Sequence, residues 1–237
     1  MRSSVPPVLP PDHQKAAYVR RMFAAIAGRY DLMNRLMTGG RDQAWRRLVI
    51  ELADLPPEGR LLDVATGTGD IAFEGRRRVA GAQVVGLDFT LEMMQVGRRK
   101  GQGVCFVGGD ALRLPFADDT FDAVTSGFGM RNVTDIAAAF AEQRRVARPG
   151  GRVICLETTP PPRGVWGALY RLYFFRLVPI LGGLISGQRA AYTYLPHSTA
   201  RFPAPEQVQA IMEGVGLRQV RYRRLMLGTV AIHVGVK

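Results

Sequence analysis

The segment Leu61-Leu-Asp-Val-Ala-Thr-Gly-Thr-Gly-Asp70 constrains this chain more than any other. A short apolar run passes into Gly67-x-Gly69, and a helical pattern begins directly behind it. Glycines at such a junction let the backbone approach a ligand with no Cβ in between. Open α/β sheets bind ligands at the carboxyl ends of their strands, where this junction lies.

The chain then alternates. Apolar runs at 60–65, 83–87, 104–107, 121–126 and 152–156 read as strands; 71–79, 91–100 and 135–147 read as helices. Such alternation implies a parallel sheet covered by helices on both faces. Beyond 160 it stops. An apolar insert, 160–187, precedes a helix at 206–214 and two strands, 219–225 and 229–236, which read as a hairpin. The predicted fold class is α/β and Rossmann-like, a seven-stranded, mostly parallel sheet with N-terminal helices and an apolar lid insert. One domain is expected over 14–237, with a loose Pro-rich tail at 1–13, N-terminal helices within 14–58 and the lid at 160–200. A helical pattern covers 15–45, and a second helix 42–53.

The 32 Lys and Arg against 20 Asp and Glu give a net charge of +12, which invites an anionic partner. The basic residues are spread over 76–78, 98–100, 144–148 and 218–224 without an aromatic-interleaved RNA motif. No nucleic-acid partner is therefore expected, and an anionic membrane surface stays open. The longest uncharged run in the insert, 177–187, is too short to span a bilayer. Cys105 and Cys155 sit in strand-like runs and are expected as buried, reduced thiols of a cytoplasmic protein. His13, His197 and His233 are scattered, so no metal site is expected.

Gly67-Thr-Gly69-Asp-Ile-Ala72 also satisfies a dinucleotide-binding pattern, which makes a nicotinamide-dependent oxidoreductase the rival reading. Asp63 and Asp70 flank the glycines. Carboxylates there would repel a diphosphate but not a sulfonium and an ammonium. Asp88, at the end of the second strand, suits ribose hydroxyls in either cofactor. Asp110-Ala111, after the third strand, suits an adenine edge. These features favour S-adenosylmethionine, with Asp63, Gly67, Thr68, Gly69, Asp88, Phe89, Asp110, Ala111, Ser126 and Gly127 as the cofactor-binding set.

Further stretches carry a specific likeness. Tyr30-Asp-Leu-Met-Asn34 with Trp45, Leu114-Pro-Phe116, Phe128-Gly-Met-Arg-Asn-Val-Thr-Asp135, Arg145 to Gly151 followed by Leu156-Glu157, and Tyr192-x-Tyr-Leu195 with Ser198 form one set. By it the chain resembles the menaquinone/ubiquinone-biosynthesis C-methyltransferases (the UbiE/MenG type), from about 19 to 237. It departs from that pattern at Thr38 and Asp42, where the family usually carries Ser and His, at Arg148 and Thr159, and at Pro196-His197. The resemblance implies a class I S-adenosylmethionine-dependent methyltransferase acting on a ring carbon of a lipophilic polyprenylated quinol. It would be cytoplasmic, peripheral on the inner face of a membrane, and open to forming a homodimer. Arg131, Tyr194 and His197 are the catalytic residues expected; Arg131 would stabilise a phenolate, or else form an ion pair with Asp63 or Asp88. Another small phenolic acceptor, or a cofactor-binding scaffold without turnover, are the other readings of the same residues.

Overall fold

The computed structural model describes residues 9–162 and 164–237. Seven strands form one sheet in the order β3-β2-β1-β4-β5-β7-β6. β1 (Arg60–Val64), β2 (Gln83–Asp88), β3 (Val104–Gly108), β4 (Phe121–Gly127) and β5 (Ala147–Thr158) pair in parallel. β6 (Arg218–Leu225) and β7 (Val230–Val236) are antiparallel to one another, and β7 is antiparallel to β5. The expected mixed sheet is the one observed. Leu61, Leu62, Val64, Val124, Ile154 and Leu156 are buried, as apolar runs in strands covered on both faces must be.

Three helices precede β1: α1 (Asp12–Ile26), α2 (Tyr30–Thr38) and α3 (Arg41–Ala53). The continuous helical pattern expected to Trp45 is broken twice. A 3-10 turn covers Ala27–Arg29, and Gly39 and Gly40 both take left-handed φ values, 58° and 75°. Glycine alone takes that conformation without a Cβ penalty, so the chain reverses there. Most of the expected tail, 1–8, lies outside the described residues; α1 begins at Asp12, one residue before that tail was expected to end.

The parallel crossovers are α4 (Asp70–Arg78), α5 (Leu91–Lys100) and α6 (Ile136–Val146). The insert folds as one helix, α7 (Val165–Ser186), with a π turn over Tyr173–Leu177. The uncharged run 177–187 is only part of it; by length and composition alone the whole of α7 is long and apolar enough to cross a membrane. A row at three- and four-residue steps, Gly167, Tyr170, Phe174, Val178 and Gly182, is nevertheless packed against the protein. α8 (Arg189–Arg201), with Pro196 inside it, and α9 (Pro205–Gly214) follow, ahead of β6 and β7. Cys155 is buried as expected, whereas Cys105 is exposed because β3 forms an edge of the sheet.

Candidate active site

Two cavities meet above the carboxyl ends of the strands. The first is a cleft of about 880 Å³ over β1, β2 and β4, lined by Ala65, Gly67, Asp88, Phe89, Met93, Asp110, Ala111, Gly127 and Phe128, among others. Ala65 and Phe128, at the ends of β1 and β4, hold φ near 54° and 58°, and so does Gly67, at 57°. A left-handed non-glycine residue costs about 1–3 kcal/mol and occurs preferentially at ligand sites. Here it turns both strand-end loops outward and leaves the cleft between them.

Asp88 stands at the centre. Its Oδ2 accepts the Gly67 N–H at 2.8 Å and its Oδ1 accepts the Thr90 N–H at 2.8 Å. Burial pushes its pKa up, and the backbone donors at Thr90 and Gly67 oppose that shift. Each oxygen keeps a lone pair for a hydroxyl on the cleft side. Asp110 accepts the Leu112 N–H through Oδ1 and lines the same cleft.

Two sequence-selected carboxylates do not face it. Asp63 lies beneath the loop, accepting Thr66 Oγ1 at 2.6 Å and Thr125 Oγ1 at 2.8 Å; burial pushes its pKa up to about 7. Asp70 turns the other way, onto Arg46 at 2.6 Å and Lys100 at 2.6 Å. The carboxylates that face the cleft are instead Asp88 and Asp110. Thr68, Gly69 and Ser126 also lie outside the cleft lining. Thr68 donates to Asp31 at 2.6 Å and accepts from Lys100, tying the loop to α2.

The second cavity, about 900 Å³, lies under α7 and α8. It is aromatic, with Trp45, Tyr170, Tyr173, Phe174, Tyr192 and Tyr194 in its walls. Phe23, Tyr30 and Phe128 line both cavities, so the two spaces adjoin there. Arg131 supplies the lining's one cation. Its Nη1 donates to Glu157 Oε1 at 2.7 Å and to the Phe128 carbonyl at 2.5 Å. The partner is Glu157, not Asp63 or Asp88. Burial works against the Arg131 charge, but Glu157 and Tyr30 outweigh it and hold the pKa above its ordinary value. Arg131 Nε is buried with no partner among the described residues.

Tyr194 lines this cavity, donates to Asn132 Oδ1 at 3.2 Å and has its pKa pushed up to about 12 by burial. His197 reaches neither cavity lining; it packs edge-on against Phe175, with centroids 5.3 Å apart. Sequence reasoning did not single out Phe23, Met93, Asn34 or Tyr170 as site residues. Tyr30, Asn34 and Trp45 had a signal, since they stand in one family-like stretch, but nothing in that stretch tells which way they point.

The family model for the ubiE/COQ5 methyltransferase family matches residues 12–237. The chain belongs to that family. Among the similar relatives, the demethylmenaquinone methyltransferase of Roseiflexus castenholzii is 50% identical, over 97% of this chain and 98% of its own length. That of Thermus thermophilus is 51% identical, over 90% of this chain and 99% of its own. The ubiquinone/menaquinone biosynthesis C-methyltransferase UbiE of Desulfotalea psychrophila is 47% identical, over 94% and 92%. Solved structures share the fold at lower identity. The [4+2]-cyclase SpnF aligns with a TM-score of 0.69 at 18% identity, over 98% of this chain and 97% of that one. The resemblance read from the sequence is thus borne out, as are the fold class, a methyltransferase enzyme and S-adenosylmethionine as its methyl donor.

Proposed function

We propose that this member of the family methylates a ring carbon of a polyprenylated hydroquinol, demethylmenaquinol first among them. The reading rests on one observation: an aromatic cavity with a single, ion-paired guanidinium adjoins the cofactor cleft at Phe23, Tyr30 and Phe128. The names of the relatives support the acceptor.

The cleft fits S-adenosylmethionine by volume and donor chemistry, with two carboxylates and no cation in its lining. Asp88 would hold the ribose hydroxyls, and Asp110 with Ala111 the adenine edge. Gly67, Phe89 and Gly127 form its walls, while Asp63, Thr68, Gly69 and Ser126 shape the loop and strand ends from outside the lining. The bound cofactor supplies an electrophilic methyl carbon on a sulfonium.

Arg131 does not take a proton at ordinary pH, but its guanidinium stabilises the phenolate that makes the ring carbon nucleophilic. Tyr194 closes the cavity beside it. Phe23, Tyr30 and Phe128 set the ring against the methyl donor, where orientation supplies much of the acceleration. His197 takes no part in this reading. Residues 14–58 act as a cap and 160–200 as a lid on one catalytic domain.

The outer face of α7 favours attachment to an anionic membrane, and hence a place at the cytoplasmic face. Val165, Leu169, Leu172, Ile180 and Leu184 are exposed, Leu184 by 79%. Between Glu157 and Glu206 the sequence carries five arginines and no acid. Apolar side chains beside arginines suit an anionic interface. Homodimerisation would cover the same face.

Labelled S-adenosylmethionine offered with demethylmenaquinol and with a simple polyphenol tests the acceptor. Label on the prenylated ring at a much higher kcat/KM is expected; equal or better transfer to the polyphenol contradicts the reading. Co-sedimentation with anionic but not neutral vesicles tests the face, and a dimer that binds neither assigns it to a second subunit.

A further inference from the structure

Asp42 is the one carboxylate lining the acceptor cavity among the described residues, and it is 1% exposed. Its Oδ1 accepts Thr38 Oγ1 at 3.0 Å and its Oδ2 accepts Arg46 Nη1 at 2.7 Å. Arg46 also reaches Asp70, Asp70 meets Lys100, and Lys100 meets Asp31 at 2.5 Å. That chain of ion pairs holds three carboxylates and two cations, so one negative charge is uncompensated. Its outer members, Asp70, Arg46 and Lys100, border an open surface cleft, while Asp42 forms the end that faces the cavity.

Replacing a ring hydrogen by methyl releases one proton per turnover. The remaining groups around the cavity are poor acceptors. Arg131 is held charged by Glu157, and burial raises the pKa values of Tyr30, Tyr170, Tyr173, Tyr192 and Tyr194.

Resting on the hydroquinol reading above, we propose that Asp42 is a catalytic base that accepts the phenolic proton of the acceptor while Arg131 stabilises the phenolate. The O–H electron pair moves into the ring, the carbon–methyl bond forms, and the methyl–sulfur bond breaks with its pair left on sulfur. The ring hydrogen then leaves as a proton to solvent water, and the oxygen, again a phenolate, recovers its proton from Asp42. The groups facing Asp42 are Thr38 from α2, Arg46 on its own helix with Asp70 of α4 beyond it, and Tyr30 and Arg131 in the shared lining.

The test uses the full chain with a prenylated demethylquinol, measuring kcat and KM against pH for the native enzyme, Asp42→Asn and Asp42→His. S-adenosylmethionine binding is followed separately by calorimetry. For Asp42→Asn, kcat is expected to fall about 10²-fold or more, as for loss of a general base, with the acid limb of the kcat profile gone and donor affinity unchanged. Asp42→His is expected to recover about tenfold over Asn, with the acid limb moved up toward the imidazole range. A purely structural Asp42 would lower the melting temperature and leave the limb in place, which overturns the proposal. So does an Asp42→Asn enzyme within about threefold of native kcat, since removing a real base costs far more. Should Asp42→Asn not fold, the displacement of the limb in Asp42→His decides. Native enzyme inactive on every quinol would instead remove the hydroquinol reading, and this assignment with it.

Discussion

The two cavities that meet at Tyr30 are built in opposite ways. The cofactor cleft is walled mostly by strand-end backbone and by side chains a few residues beyond β1, β2, β3 and β4, with Ala16, Phe23 and Tyr30 of the N-terminal helices and Met93 of α5 closing it. The acceptor cavity is assembled from side chains between Met22 and Val230, contributed by the N-terminal helices, the insert and the edge of β7. The first is fixed by local chain geometry and charge, the second by long-range packing of aromatic rings. The cleft should therefore respond to single polar changes through donor affinity, and the cavity through turnover and lid packing.

Beside the loss expected at Asp42, the largest effect is expected at Arg131. Arg131→Lys keeps a cation opposite Glu157 but loses the planar fork, and kcat should drop about 10²-fold while donor affinity holds. Equal losses in both would mean that the cavities are not separable. In the cleft, Asp88→Ala removes the acceptor of two backbone N–H groups and should weaken donor binding by about 10–100-fold, at 1.5–3 kcal/mol for a charged hydrogen bond. The KM for acceptor should stay near native, and calorimetry with steady-state kinetics separates the two.

Packing of the lid is probed by Gly182→Ala. A Cβ there would lie 2.1 Å from Tyr192 Cγ, so α7 must move off α8. Overpacking of this kind costs about 1–3 kcal/mol, read by denaturant unfolding, and should raise the acceptor KM with donor binding intact.

The smallest effect is a pH dependence beneath the cleft. Asp63 is raised in the folded protein to about 7 from a normal carboxylate value, so the fold binds its proton more tightly than the unfolded chain does. Its contribution is fully present in acid and is lost as pH rises through about 7. The melting temperature of Asp63→Asn relative to native should thus rise between about pH 4 and pH 7, the range in which the unfolded chain has released this proton and the fold still holds it. A difference that stays flat with pH would show Asp63 ionised throughout.

This contrast also explains what was legible in the sequence. Strands β1 to β4 were readable to within a residue or two, because apolar runs there end in Gly or Asp. Asp88, Asp110, Gly67 and Gly127 follow directly from such ends and do line the cleft. Orientation was not readable: Asp63 and Asp70 flank the same glycines, yet one is sealed by threonines and the other paired outward. The break of the first helix needed the left-handed pair Gly39-Gly40, and α8 was hidden by Pro196 in its interior. The acceptor cavity left only fragments in the sequence, since Tyr30, Arg131, Tyr170 and Tyr194 share no local pattern. They converge only when α1, α2, α7 and α8 pack.

The quinone pool of a strain lacking this gene, read by mass spectrometry, tests the central claim most directly. A prenylated quinone lighter by one CH₂ should accumulate, and the native gene should restore the methylated form. An unchanged quinone pool in the deletion strain would contradict it.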